Sequence, residues 1–230
     1  FRKDPGNDRT MLATGLLDLA NVYRALDRTD DAIRTYEEAL ALAIELHGPD
    51  HVDVADVLNN EALVVAEIGD HAHARELWHR ALAIREKVLG HLHPDVARVY
   101  GALGFDAYLR HDYGEAVDDL SQGVDVFEKL GGAPLPILFG FYDARGRAEH
   151  AVHRDADAIA DLTRARDGNR KAKLGIPAAQ AELGIAGVLW DEGKRDAAVA
   201  SAKAAETELA ALSAPDVLAA ARDWLREHKR

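Results

Sequence analysis

Cysteine is absent from the 230 residues, which excludes disulfides, cysteine nucleophiles and thiolate metal sites. Aromatic residues make up only 6% of the chain and methionine occurs once. The apolar content is Ala and Leu rather than β-branched or aromatic residues, and that balance favours helix over strand. No apolar run approaches the roughly 18 residues a membrane helix needs. No secretory signal is present, and a cytoplasmic location is the expectation. The chain opens on Phe1 rather than Met, the expectation being a region cut from a longer protein. Basic residues are outnumbered, 28 against 40 acidic, for a net charge of −12. A chain of that sign repels phosphate backbones, so neither nucleic acid nor membrane is an expected partner.

The motifs of catalysis are missing too. No Gly-x-Gly-x-x-Gly and no Gly-Lys-Ser/Thr stretch cradles phosphate. Ser121 and Ser201 lack a Gly-x-Ser-x-Gly setting. Among eleven histidines, the pairs His71/His73, His91/His93 and His150/His153 have loose ligand spacings. Residues two apart on a helix point to different sides, however, and no His-Glu-x-x-His occurs. The acidic pairs Glu37-Glu38 and Asp118-Asp119 fall at positions expected to face water. No catalytic residue, cofactor or metal site is therefore expected, and the region reads as noncatalytic.

What the chain does contain is a repeat. The stretch from Val52 to Leu89 holds two helix-length patterns around a Gly69-Asp70 break. Val54, Val57, Leu58, Ala62, Val65 and Ala66 mark one helical face; Ala74, Leu77, Trp78, Ala81, Leu82 and Leu89 mark the other. Such a pair has apolar surface on two sides and needs a copy of itself as neighbour. The copies are there at a spacing of forty-two. Ala32, Tyr36 and Ala39 precede Ala74, Trp78 and Ala81; Ala116, Leu120 and Gly123, then Ala158, Leu162 and Ala165, follow. Ala198, Ala202 and Ala205 come last, at a spacing of forty. The connector His47 to Ala55 aligns with Leu89 to Ala97, repeating His51 as His93. That recurrence suggests a local hydrogen-bonding role for these two histidines.

Five units follow, at about 10–48, 52–90, 94–131, 135–175 and 177–212. A linker or frayed end over 1–9 precedes them and a capping helix over 214–230 follows. Thr29 or Asp30 is the expected cap of the second helix, and Gly131-Gly132-Ala133-Pro134 and Gly175-Ile176-Pro177 are expected breaks. Gly168-Asn169 is expected to soften a helix end. Two positions break the pattern. Glu61 stands where Leu19 and Leu103 stand in the flanking units, and the preferred reading is a partly exposed or locally paired carboxylate. Arg145 occupies the same register in the fourth unit, four residues before Glu149. A guanidinium at an interhelix position is expected to contact Glu149 or another carboxylate.

Leu19-Ala20-x-x-Tyr23 followed by Ala32-x-x-x-Tyr36-x-x-Ala39 resembles the tetratricopeptide repeat. The forty-two-residue period, the connector and Leu58-Asn59-Asn60 are similar to its kinesin-light-chain-like branch. These features recur in bacterial regulatory proteins, including C-terminal regions of some serine/threonine kinases. The resemblance implies an all-α, right-handed solenoid whose leading helices line a concave groove that takes a peptide or protein segment. Carried over by register, it assigns Asn21, Arg24, Asn59, Arg98, Phe105, Tyr108, Arg147, His150 and Trp190 to that groove. Amides suit a peptide backbone, and exposed aromatics suit side-chain anchors. The implied function is a protein-interaction scaffold, a sensor or docking region of a larger regulatory protein. The alternative is self-association: Leu12, Leu16 and Leu19 at the exposed solenoid end would be covered by upstream sequence or by a second copy as a homodimer.

Overall fold

The computed structural model describes residues 5–131 and 136–228. Among them are eleven helices and no strand, the number the repeat predicts. In chain order they are α1 Pro5–Ala25, α2 Thr29–His47, α3 Val52–Glu67, α4 His71–Leu89, α5 Pro94–Leu109, α6 Tyr113–Lys129, α7 Pro136–Ala151, α8 Asp155–Lys171, α9 Gly175–Asp191, α10 Arg195–Ala211 and α11 Pro215–Glu227. No described helix is long and apolar enough to cross a membrane. The chain divides within α5 into two compact units, one up to Asp106 and one from Ala107. In the first, α1 packs on α2, α2 on α3 and α3 on α4. In the second, α6 to α11 pack each on the next, with further contacts of α7 and α11 to α9. Within each unit these helices thus rest on their sequence neighbours, the packing of an α-solenoid.

Small residues set the spacing within each pair. Ala20 and Ala62 on leading helices and Ala32, Ala74, Ala116 and Ala158 on second helices are all fully buried. At Gly146, in the register of Ala20, a β-carbon would lie 3.0 Å from the Ala158 carbonyl oxygen and 2.9 Å from Leu162 Cγ. The larger side chains fill the spaces between pairs: Trp78 joins Val54, Leu58, Val96, Val99 and Leu103 in one apolar cluster of the first unit. The turns inside pairs keep the period as well. Positive φ recurs at Asp27, Gly69, His111 and His153, a left-handed position that Asp and His tolerate better than most residues.

Several local expectations are corrected. The first helix begins at Pro5, inside the 1–9 stretch expected as a linker or frayed end; proline suits the first helical position, and Arg9 holds Glu45 of α2 by two hydrogen bonds of 2.9 and 2.6 Å. Arg28, not Thr29 or Asp30, sits at the α2 cap, and its guanidinium donates to Asp31 at 2.7 Å. Gly168 and Asn169 do not loosen α8; both are buried within it. A β-carbon on Gly168 would fall 2.2 Å from the Phe139 ring, so the glycine admits that ring against the helix. Gly175 and Pro177 begin α9 instead of breaking the chain, since a first-turn proline forfeits no helical hydrogen bond. The expected break at Gly132-Ala133-Pro134 lies outside the described residues.

Glu61 is the sharpest correction. It is neither wet nor fully paired: it is 4% exposed, and its Oε2 has no hydrogen-bond partner. Burial pushes its carboxyl above the ordinary value, offset by His73 and reinforced by Glu37. An apolar residue fits this register, as Leu103 does at zero exposure. Glu61→Leu should therefore stabilise the fold by roughly 1–3 kcal/mol, read as a higher urea midpoint with unchanged slope. A lower midpoint would show that the carboxylate has a partner worth keeping.

Candidate functional site

The residues assigned to the groove do not all stay available to a ligand. In the first unit, Asn21 Oδ1 accepts from the Tyr36 hydroxyl at 2.6 Å. Arg24 chelates Glu67 at 2.5 to 3.1 Å, tying α1 to the end of α3. Asn59 donates to the adjacent Asn60 at 3.4 Å, and Arg98 is paired with Asp95 one helical turn back. Phe105 remains 38% exposed. The groove register also holds Asp56, which accepts at 2.7 Å from Arg85, a buried arginine on α4. Period counting gave no signal for that pair, because Ala43 and Phe127 stand in the register of Arg85.

The second unit gathers three of the assigned residues around one space. Tyr108, Arg147 and His150 line a cavity of about 340 Å³ together with Leu162, Leu183, Gly184, Gly187, Val188 and Trp224. The reason is register: Arg147 and Gly187 share one column of the leading helices, and Tyr108 and His150 share the next. Gly187 leaves the floor open, with no atom within 4 Å of where its β-carbon would stand. Gly184 is tighter; a β-carbon there meets Leu162 at 3.1 Å and Arg147 Nη2 at 3.4 Å. Trp190 does not join this set. It meets the ring of Trp224 edge-on at 5.8 Å and His228 at 4.4 Å, with Arg195 over its face at 4.3 Å. The indole at the cavity is Trp224, a residue that sequence reading placed only on the capping helix.

The polar groups of this cavity are already oriented. Arg147 donates from Nε and Nη2 to Asp143 at 2.8 and 3.2 Å and from Nη2 to the Gln180 carbonyl of α9 at 2.9 Å. His150 sits between Asp155 at 2.7 Å and Asp191 at 3.1 Å. Burial pushes the Tyr108 phenol above its ordinary value, leaving a neutral hydroxyl at neutral pH. Two of these side chains therefore bridge helices as well as facing the space.

Behind that wall, on α7, Arg145 donates to Asp161 at 2.5 Å and lies 4.0 Å from Glu149, the contact its register required. Asp161 and Ser121 complete its surroundings, and neither was legible from repeat spacing. Among the described residues, the histidine pairs picked out by spacing instead lie against carboxylates. His71 lies 2.7 Å from Asp106, and His91 lies 2.9 Å from Glu86.

The tetratricopeptide-repeat family model matches residues 11–77 and again 53–129, just over half of the chain. The chain belongs to the tetratricopeptide-repeat family. A clustered mitochondria protein of Arabidopsis thaliana is 33% identical over 89 residues, 39% of this chain; the chain spans 6% of that protein's length. Among solved structures, a putative kinesin light chain of Podosopora anserina with nearly identical TPR-like repeats superposes with a TM-score of 0.75 at 19% identity. That match covers 87% of this chain and 95% of the other. A Rap protein in complex with competence and sporulation factor gives a TM-score of 0.66 at 15% identity, covering 93% and 63%. At such identities the likeness is one of fold. Tetratricopeptide repeats are a scaffold for protein–protein interaction, and the fold here is that all-α solenoid.

The buried Glu149 gives this site a pH signature. It is 7% exposed with Oε2 unpartnered; burial, then the Asp161 charge, against the pull of Arg145, pushes it up to about 7. A folded value above the unfolded one means the native state binds the extra proton. Stability is then lost as pH rises from about 4.5 through 7, by up to about 3 kcal/mol. Unfolding free energies of wild type and Glu149→Gln should diverge over that window, with the variant the more stable at pH 8. Parallel curves would show that Glu149 ionises without cost.

Proposed function

We propose that this region is a docking module that takes a short segment of a partner protein on its leading-helix side, with the cavity of the second unit as the anchoring point. The cavity carries this reading. Its 340 Å³ suits one large side chain, and its wall mixes an indole, a phenol and aliphatic carbons with a few oriented polar groups. The groups committed to internal pairs, Asn21, Arg24 and Arg98, serve on this reading as structure, while Phe105 and Tyr108 remain anchors. The Rap protein, whose structure carries competence and sporulation factor, supports a ligand-responsive role in a larger regulatory protein. Such a role is consistent with a bacterial, cytoplasmic setting.

Gly187→Trp tests it. The β-carbon enters open space, and replacing a helical glycine by a residue of higher propensity does not weaken α9. Peptides selected from a displayed library on the wild-type chain should bind the variant at least tenfold more weakly, with circular dichroism unchanged. Peptides that bind both equally would move the site elsewhere.

A second reading, self-association through α1, rests on a specific contrast. Leu12, Leu19 and Val22 are 55%, 41% and 52% exposed, whereas Val54 and Val64, in the registers of Leu12 and Val22, are 0% and 1% exposed beneath α2. Leu16 is half-buried. If this face pairs two copies, sedimentation should show a dimer that Leu12→Glu with Val22→Glu converts to monomer. A wild-type monomer at high concentration would remove this reading.

A further inference from the structure

The connector between the first two helix pairs holds a cluster that the repeat does not explain. His51 is the cap residue of α3, and its Nδ1 accepts the Asp53 N–H at 3.2 Å. The next connector does the same with His93 and Asp95 at 3.1 Å. Capping thus accounts for His51 and Asp53 wherever the connector occurs. It does not account for His47, because Leu89 fills that register in the next connector. His47 ends α2, just before Gly48 turns the chain at φ +82°. Its ring stacks on that of His51 with centroids 4.5 Å apart.

The donor atoms converge. His47 Nε2 and His51 Nδ1 each lie 3.4 Å from Asp53 Oδ2. All three ligand atoms fall within 4.8 Å of one another, the one such group among the described residues. With metal–ligand bonds of about 2.0–2.1 Å, the edge of a tetrahedron is about 3.4 Å, so two of three edges already have the required length. The third closes by rotation of the exposed His47 ring. His51 Nδ1 accepts the Asp53 N–H, so it carries a lone pair and not a proton; ligating an ion would turn that lone pair from the cap to the metal.

We propose that His47, His51 and Asp53 bind a divalent transition-metal ion of the zinc class. The set has two imidazoles and one carboxylate, with a fourth position left to water, the donor chemistry such ions take. The ion would join the last turn of α2 to the first turn of α3. It would therefore stiffen the junction between the first and second helix pairs. The inference is independent of the peptide-docking reading, since none of the three residues touches that cavity.

Titration of the purified chain with Zn2+ in a calorimeter, and with Co2+ followed by visible absorption, tests it. One equivalent of Co2+ should give the intense bands of a four-coordinate ion, and Zn2+ should displace it. His47→Leu reproduces the residue of the next connector and should weaken binding at least tenfold, and so should Asp53→Asn, which retains the backbone N–H that His51 caps. Zn2+ should raise the melting temperature of the wild type and of His93→Ala but of neither site variant. Equal uptake by wild type and both site variants, or only weak six-coordinate cobalt bands, would overturn the proposal.

Discussion

Close approach of the two helices within each pair is the constraint on which the rest depends. Ala20, Ala62 and Gly146 face the second helices across a gap too narrow for a larger side chain, and Ala32, Ala74, Ala116 and Ala158 answer them at zero exposure. Helices that meet through alanine and glycine come near enough for Tyr36, Trp78 and Leu162 to reach past the seam into the next pair. That reach carries packing from one pair to the next, which makes a solenoid out of separate hairpins. A methyl group gained at Gly146 would be felt at Leu162 and hence at α9, whose Gly184 rests on the same leucine.

This tolerance is narrow for size and wider for charge. The register of Leu19 holds Glu61, Leu103 and Arg145 in successive units. Arg145 is supported by a carboxylate from α8 as well as by Glu149 on its own helix, whereas Glu61 keeps an oxygen without a partner. The difference follows from what surrounds each. α8 supplies Asp161 at the level of Arg145, while α4 presents Trp78, Ala81 and Leu82 to the apolar cluster of the first unit. A buried ion pair and a buried lone carboxylate thus occupy the same register with opposite energetic consequences.

Helix count, pairing and turn positions were legible in the sequence because they are imposed by the period. Ala32 to Ala198 and the Gly69-Asp70 break could be read off without coordinates. The site was legible only as columns. Register placed Tyr108, Arg147 and His150 near one another, and they line one cavity, yet spacing could not say that Asp143 and Gln180 hold Arg147. It could not say either that Trp224 and not Trp190 stands at the cavity. Those facts depend on side-chain direction and on how far α11 folds back toward α9. The His47–His51–Asp53 cluster escaped for a related reason: its members join across a turn, and linear spacings such as His71-x-His73 are a poor guide to convergence there.

The columns themselves explain where specificity can reside. The interior column at 20, 62, 104, 146 and 186 holds only Ala or Gly. The neighbouring outward column at 21, 63, 105, 147 and 187 holds Asn, Leu, Phe, Arg and Gly. Packing forbids variation in the first and leaves the second free, so on the docking proposal recognition would rest on the second. In the α7–α9 region that freedom produces a guanidinium beside an empty glycine floor. Arg147 spends Nε and Nη2 on Asp143 and the Gln180 carbonyl, so its charge is largely neutralised before any ligand arrives. An acidic group would have to compete with Asp143 for it, whereas a ring or branched aliphatic side chain meets Tyr108, Leu183, Val188 and Trp224 without displacing anything. If this cavity is the docking point proposed above, affinity there should rest on apolar contact, with Arg147 and His150 setting the orientation of what enters.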